Sequence, residues 1–134
     1  MSGTITLHLQ EAYFYAIAEK RKVIEGRLGK SKYLALLPGA KICFCISPSE
    51  YAKAVDDEPS SERNGHKSEK LYCDLVKAIH YTSFREMLEI EGFSSVIPDA
   101  RSIDEAIDIY RKFYTTEDEA LYGAVALHLC CSKN

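Results

Sequence analysis

The stretch "KRKVIEGRL", residues 20–28, decides how the rest of the chain is interpreted. It opens with three basic residues, and the six residues from Val23 to Leu28 are predicted to form a β-strand. Successive side chains of a β-strand point to opposite faces, so Val23, Glu25 and Arg27 would share one face and the intervening residues the other. The stretch therefore predicts a strand that presents an acid and a base on the same side.

The neighbouring segments supply the other elements of the fold. Alternating or continuous apolar runs indicate strands. These runs are "TITLHL" (4–9), "LPGAKICFCI" (37–46, opening with a Pro-Gly turn), "KLYCDLVKAIHYT" (70–82) and "LYGAVALHLCC" (121–131). A helix is predicted for "EAYFYAIAEK" (11–20), where apolar residues recur at helical spacing.

Two capping boxes predict two further helices. Ser83 is followed three residues later by Glu86, and Ser102 is followed by Glu105, the spacing in which a hydroxyl accepts from the first turn of a helix. The second of these helices carries an apolar stripe, which consists of Ile103, Ala106, Ile107, Tyr110, Phe113 and Tyr114. We expect this stripe to pack against a sheet.

The predicted order is a strand, a helix, several strands, two helices and a strand. Strands joined this closely leave no room for crossover helices, so the sheet should be antiparallel or mixed. We therefore expect a single α+β domain over residues 1–134, in which a small β-barrel has helices on its flanks. Residues 47–69 are rich in Ser, Pro and acidic residues, and are predicted to form a mobile loop.

Composition and charge limit the classes of function. The chain is 46% hydrophobic and 28% charged, and it has neither a membrane-length apolar run nor a signal peptide pattern, so we expect a cytoplasmic or nuclear protein without membrane contact. The net charge is −3, yet residues 19–33 carry six basic and two acidic side chains. An acidic chain with one basic segment suits a local anion site better than a general nucleic-acid coat.

The five cysteines predict neither a disulfide framework nor a metal site. Their number is odd and no export signal precedes them, so reduced thiols are expected. All five lie in apolar, strand-like segments, where free cysteine behaves as a small hydrophobic residue. We predict no cofactor.

The basic segment is not a phosphate-binding loop. With Gly29, Lys30 and Ser31 in place, the Walker pattern requires a glycine at position 24, which is Ile24. Gly26 lies two residues too close. Nucleoside triphosphatase chemistry is therefore not expected.

Taken with its flanking elements, the segment resembles the activating signal cointegrator homology (ASCH) family, a branch of the PUA-like superfamily of small β-barrels. The resemblance rests on an ordered set of motifs. They are the helix leading into Lys22-x-x-Glu25-x-Arg27-Leu28, the strand with Gly39, Ile42 and Phe44, "YTSFREML" (81–88) and "FYTTEDEALYGAVALHL" (113–129). Ala40 stands where the family usually has Asp. The motifs span about Ile5 to Leu129.

This resemblance implies a PUA-like fold and a cleft that binds RNA or a nucleotide-like ligand. The implied binding residues are Lys22, Glu25, Arg27, Lys30, Lys32 and Tyr81. Glu25 would accept a hydrogen bond from a base, and Arg27 would bind phosphate or stack on a ring. The lysines would supply phosphate contacts that are independent of sequence.

Two other functions remain open. Some ASCH-like proteins hydrolyse acylated cytidine with a Lys, a Thr three residues later and a distant Glu, which makes Lys22, Glu25 and Glu91 the catalytic candidates for a hydrolase acting on RNA or modified nucleosides. Glu25 occupies the threonine position, and a carboxylate does not form the same acyl intermediate. The chain could instead be a protein-interaction module that uses the acidic loop and the helix from Ile103 to Tyr114.

Overall fold

The computed structural model describes residues 4–47 and 69–131. Its strands are β1 (Thr4–Leu9), β2 (Ile24–Leu28), β3 (Lys41–Ile46), β4 (Lys70–Tyr81) and β5 (Ala124–Cys131). Its helices are α1 (Glu11–Ala18), α2 (Ser31–Leu34), α3 (Phe84–Glu91), α4 (Phe93–Val96), α5 (Ile103–Arg111) and α6 (Thr116–Tyr122). The predicted mobile loop, apart from residues 47 and 69, lies outside the described residues. No helix in the described ranges is long and apolar enough to cross a membrane.

The five strands form one mixed sheet in the order β1-β3-β4-β5-β2. β1 and β3 are parallel, and the other three pairings are antiparallel. The sheet curls into a half-barrel with flanking helices, which confirms the predicted α+β class. β1 and β2 are its two edges, so the gap between them is where the half-barrel is open.

Alternation along the strands divides the interior into two apolar clusters. On β5, Val125 and Leu127 belong to the cluster on one side of the sheet, while Ala124 and Ala126 belong to the other. The first cluster includes residues of α1, β1 and β3, and the second is covered by α3 and α5. The predicted stripe on α5 packs into this second cluster, which confirms its assignment to the core.

Both predicted capping boxes begin helices. The Ser83 hydroxyl accepts from the Glu86 amide at 3.0 Å, and the Ser102 hydroxyl accepts from the Glu105 amide at 3.1 Å. A third cap was overlooked in the sequence, where Thr115 accepts from the Asp118 amide at 3.0 Å and begins α6. The final strand was predicted to start at residue 121. It starts at Ala124 instead, because α6 extends to Tyr122.

The expectation of five reduced cysteines is wrong for one pair. Cys73 on β4 and Cys131 on β5 are directly opposite in the sheet, their Cα atoms are 4.0 Å apart, and a disulfide joins them. The spacing of the cysteines in the sequence does not predict this disulfide, because the register between β4 and β5 is what places the two residues opposite each other. Cys43 and Cys130 are free thiols. Within the described ranges, no group of three or more His, Cys, Asp or Glu residues is placed to hold a metal ion.

Candidate ligand-binding cleft

Arg27 joins the two edges of the half-barrel. Its side chain projects from β2 across the gap, and Nη2 donates to the main-chain oxygen of His8 on β1 at 2.9 Å. Nη1 lies 3.5 Å from the Tyr33 hydroxyl on α2. The guanidinium is 0% exposed, so Arg27 is part of the interior rather than of the surface.

Glu25 lies between two buried cations. Its Oε2 accepts from Arg27 Nε at 2.6 Å, and its Oε1 is 3.1 Å from Lys22 Nζ. The exposures of these side chains are 2% for Lys22, 7% for Glu25 and 0% for Arg27. The structure thus brings together the three residues of the Lys-x-x-Glu-x-Arg motif in one buried network.

Lys22 is fixed by three acceptors. Besides Glu25, its Nζ donates to the main-chain oxygens of Ile24 at 2.9 Å and Val96 at 2.6 Å. An ammonium has three N–H donors, and all three are used here. A neutral amine would direct its lone pair at one of these acceptors, so the geometry requires the charged form.

The surroundings keep Glu25 ionised. Burial acts to raise the pKa of Glu25, but the charges of Lys22 and Arg27 and their hydrogen bonds outweigh it and hold that pKa below its usual value. Burial acts to lower the pKa of Arg27, and Glu25 reverses this, so the pKa of Arg27 is raised. Burial lowers the pKa of Lys22, with partial compensation from Glu25.

A cleft opens beside this network, between the end of β1, the start of α1, β2 and the end of α5. Lys22, Glu25 and Gly26 line one wall, and Arg27 does not reach it. The remaining lining residues are mostly aromatic or aliphatic: His8, Leu9, Gln10, Tyr13, Ile97, Ile109, Tyr110, Phe113 and Tyr114. The cavity volume is about 40 Å³, whereas a single water needs roughly 10–15 Å³, so the cleft admits the edge of a ring rather than a whole nucleotide.

Gly26 shapes this wall because it has no side chain. A Cβ at this position would collide with the Tyr110 hydroxyl and would lie 2.8 Å from Met87 Cε. Glu25 lines the cleft beside Gly26, which contributes only main-chain atoms. The glycine lets the Tyr110 ring approach the strand and form part of the cleft.

Tyr81 and Glu91 lie in a different polar cluster. The Tyr81 hydroxyl donates to Glu91 Oε2 at 2.6 Å, and His128 Nε2 lies 3.0 Å from the same oxygen. Burial and the bond to Glu91 raise the pKa of Tyr81 to about 12. Neither residue lines the cleft described above.

The two lysines of the basic turn lie against aromatic rings. Lys30 Nζ is 5.5 Å from the centroid of Tyr122, and Lys32 Nζ is 5.2 Å from the centroid of Tyr33. This turn begins the short helix α2, which the sequence analysis did not predict. Neither lysine is among the lining residues of the cleft.

The three histidines on strands, His8, His80 and His128, lie apart from one another. The main-chain oxygen of His8 accepts from Arg27 at the gap between β1 and β2. His128 contacts Glu91, and His80 Nε2 is 2.9 Å from the main-chain oxygen of Tyr122. Each contacts a different part of the molecule, so they do not form a shared acid–base or metal centre.

Sequence reasoning identified the charged wall of the cleft but missed much of the aromatic wall. The sequence analysis placed Tyr110, Phe113 and Tyr114 in the apolar stripe of one helix and Tyr13 in the first predicted helix. A signal existed in "IYRKFY" (109–114), where aromatic residues occupy more of the helix circumference than a single apolar stripe needs. Tyr13 gave no such signal.

Comparison with known proteins supports the architecture. The ASCH domain profile matches residues 7–130. The crystal structure of hypothetical protein PH0355 is 33% identical with a TM-score of 0.74, and the match covers 98% of this chain and 100% of that one. The solution structure of protein PF0455 from Pyrococcus furiosus is 34% identical with a TM-score of 0.68, and the match covers 100% of both chains.

A more distant likeness is to a mutant of ZmASCH from Zymomonas mobilis. The sequence identity is 14% and the TM-score 0.56, and the match covers 96% of this chain and 68% of that one. At that identity the likeness concerns the fold alone. No curated protein matches the chain significantly.

Proposed function

The chain belongs to the ASCH family, and from this premise we propose that it binds RNA or a nucleoside-type ligand by holding a base in the cleft beside Glu25. The observation that carries the proposal is the carboxylate of Glu25, which two buried cations keep ionised at the wall of an aromatic-lined cleft. A carboxylate accepts hydrogen bonds from amino and imino groups of bases, and aromatic side chains stack on their flat faces.

On this proposal the three motif residues have different tasks. Glu25 contacts the ligand, while Lys22 and Arg27 hold its carboxylate in place, because their hydrogen bonds go to protein atoms. Arg27 is then a positioning residue, and not the phosphate contact that its residue type suggested. Lys30 and Lys32 lie on the turn after β2, where they could meet phosphates of an RNA strand.

Hydrolysis of acylated nucleosides has less support. The Lys22 ammonium has no N–H left for a substrate, and Glu91 contacts Tyr81 and His128 rather than the cleft. Protein interaction through α5 is also less supported, because its apolar stripe is covered by the core.

The test is a titration of the intact protein with mixed-sequence single-stranded RNA and with nucleosides, followed by amide chemical shifts. Perturbations should cluster on β2, the start of α1 and the end of α5. Phe113→Leu removes an aromatic wall of the cleft and should weaken binding at least about threefold, since base–aromatic stacking contributes roughly 1–3 kcal/mol. Phe93→Leu is the matched control, because Phe93 is a half-buried phenylalanine of the same core cluster that lies away from the cleft.

Equal loss of affinity in both variants would mean that the aromatic wall acts through stability alone. Absence of binding to every RNA and nucleoside would remove the proposal.

A further inference from the structure

The side-chain group that the charged wall of the cleft presents to a ligand is the carboxylate of Glu25, which is an acceptor. Lys22 and Arg27 are the two cations of the network, but all three N–H donors of Lys22 point to protein oxygens. Arg27 does not line the cleft. A ligand that enters against this wall therefore meets the carboxylate of Glu25 and no donor from the cations.

Glu25 has acceptor capacity remaining on both oxygens. Each carboxylate oxygen can accept two hydrogen bonds. Oε1 receives one from Lys22 and Oε2 receives one from Arg27, which leaves acceptor capacity on each oxygen. The two cations also fix the plane of the carboxylate, so its direction is set before a ligand arrives.

The inference that follows rests on the proposed function. We propose that the cleft selects a base with two adjacent N–H donors in one plane, as guanine has at N1 and N2, and that Glu25 receives both. Paired parallel hydrogen bonds to a carboxylate give geometric specificity as well as energy. No other common base presents two adjacent donors along one edge.

The other bases place an acceptor against the carboxylate. Cytosine and adenine have an amino group next to a ring nitrogen that accepts, and uracil has one N–H between two carbonyl oxygens. An ionised carboxylate repels these acceptors, and one acceptor position of Glu25 stays buried and unpaired. A site built to hydrogen-bond two donors therefore binds such a base much more weakly. The arrangement around Glu25 therefore distinguishes guanine from the other bases by the pattern of their N–H donors.

The same carboxylate keeps phosphate out of the cleft. A phosphate placed beside Glu25 would bring two negative charges together in a largely apolar setting formed by residues such as Tyr13, Ile97 and Phe113. The sugar and phosphate must remain outside, consistent with a cleft that admits only a ring edge. Recognition should thus be of the base, whether it is free as a nucleoside or carried in RNA.

The experiment titrates the intact protein with guanosine, inosine, cytidine, adenosine and uridine at neutral pH by calorimetry. Inosine is the matched probe, because it keeps N1–H and lacks the amino group at C2. Guanosine should bind most tightly, and inosine at least about tenfold more weakly, as expected for loss of one hydrogen bond to a charged acceptor. Single-stranded UUGUU and UUIUU, with I for inosine, provide the second arm and should show the same ratio.

The guanine preference in both arms supports the inference, and tighter binding of UUGUU than of guanosine identifies RNA as the source of the base. Equal affinity for guanosine and inosine, or a stronger response to any other nucleoside, overturns the inference while leaving nucleoside binding intact. Absence of binding in both arms overturns it together with the proposed function.

Two variants link the preference to the carboxylate. Glu25→Gln replaces one acceptor by a donor, so the ratio between guanosine and inosine should fall to near one. Since Glu25→Gln also destabilises the fold, Phe113→Leu is the second variant, and it should weaken the binding of both nucleosides alike and preserve the ratio of their affinities. A ratio that changes in Phe113→Leu, or that persists in folded Glu25→Gln, would contradict the role of Glu25.

Discussion

Arg27 Nε lies 2.6 Å from Glu25 Oε2, and both side chains are buried on edge strand β2. From the same guanidinium, Nη2 reaches the His8 carbonyl on the opposite edge of the sheet. The guanidinium of Arg27 therefore has two roles. Nε holds the Glu25 carboxylate at the cleft, and Nη2 connects β2 to β1 across the open side of the half-barrel.

Glu25→Gln should destabilise the fold by about 3–5 kcal/mol, because it leaves two buried cations without their counter-charge. Urea denaturation at neutral pH measures the loss. Asp74→Asn is the control, since it removes one charge from the exposed Lys41–Asp74 pair and should cost less than about 1 kcal/mol. Similar losses in the two variants would show that burial of the Glu25 network contributes little.

The contribution of Glu25 to stability should depend on pH. Its pKa is lower in the folded state than the unfolded value of roughly 4.3, so its stabilisation is complete above that value and is lost as pH falls through the folded pKa. The difference in unfolding free energy between wild type and Glu25→Gln should therefore be constant above about pH 5 and shrink below about pH 4. A difference that grows on acidification would reverse the assigned direction.

Gly26→Ala should destabilise the protein by about 1–3 kcal/mol, because the new methyl group overlaps the Tyr110 hydroxyl and crowds Met87. Tyr110→Phe removes the overlapping oxygen. The double variant should then be more stable than the sum of the two single changes predicts, which thermal or urea unfolding of all four proteins measures. Strict additivity would mean that Gly26 and Tyr110 do not compete for this space.

Lys20→Gly should be more stable than Lys20→Ala by about 1 kcal/mol. Lys20 has a φ of 66°, and the Arg21 amide bonds back to the Ala16 oxygen at 2.9 Å, so Lys20 occupies the left-handed position that follows α1. Glycine adopts this conformation without strain. Both variants lose the bond from Lys20 Nζ to the Cys131 oxygen, so their difference in chemical denaturation reports the backbone alone.

Reduction of the Cys73–Cys131 disulfide should cost about 2–4 kcal/mol, since the bond closes a loop between residues 58 positions apart. Unfolding measured with and without dithiothreitol tests this. Cys130→Ser should respond to the reductant as the wild type does, because Cys130 is a free thiol. Cys73→Ser should show no response, and a persistent effect of the reductant in that variant would point to another target.

The amino-acid sequence by itself determined the local features. Alternation placed Glu25 and Arg27 on one face of a strand, serine and glutamate spacing located the starts of α3 and α5, and the order of motifs indicated the family. These features depend on residues a few positions apart, where the geometry of a helix or strand is fixed by the backbone. They could therefore be predicted from the sequence without the tertiary structure.

Only the tertiary structure decided the rest. It showed that Arg27 crosses to β1, that Cys73 meets Cys131, and that Tyr81 and Glu91 form their own cluster with His128. Each relationship joins elements far apart in the chain, and the register of strands and the curl of the sheet set it. The cleft likewise exists because two sheet edges and the end of α5 converge, which no local pattern specifies.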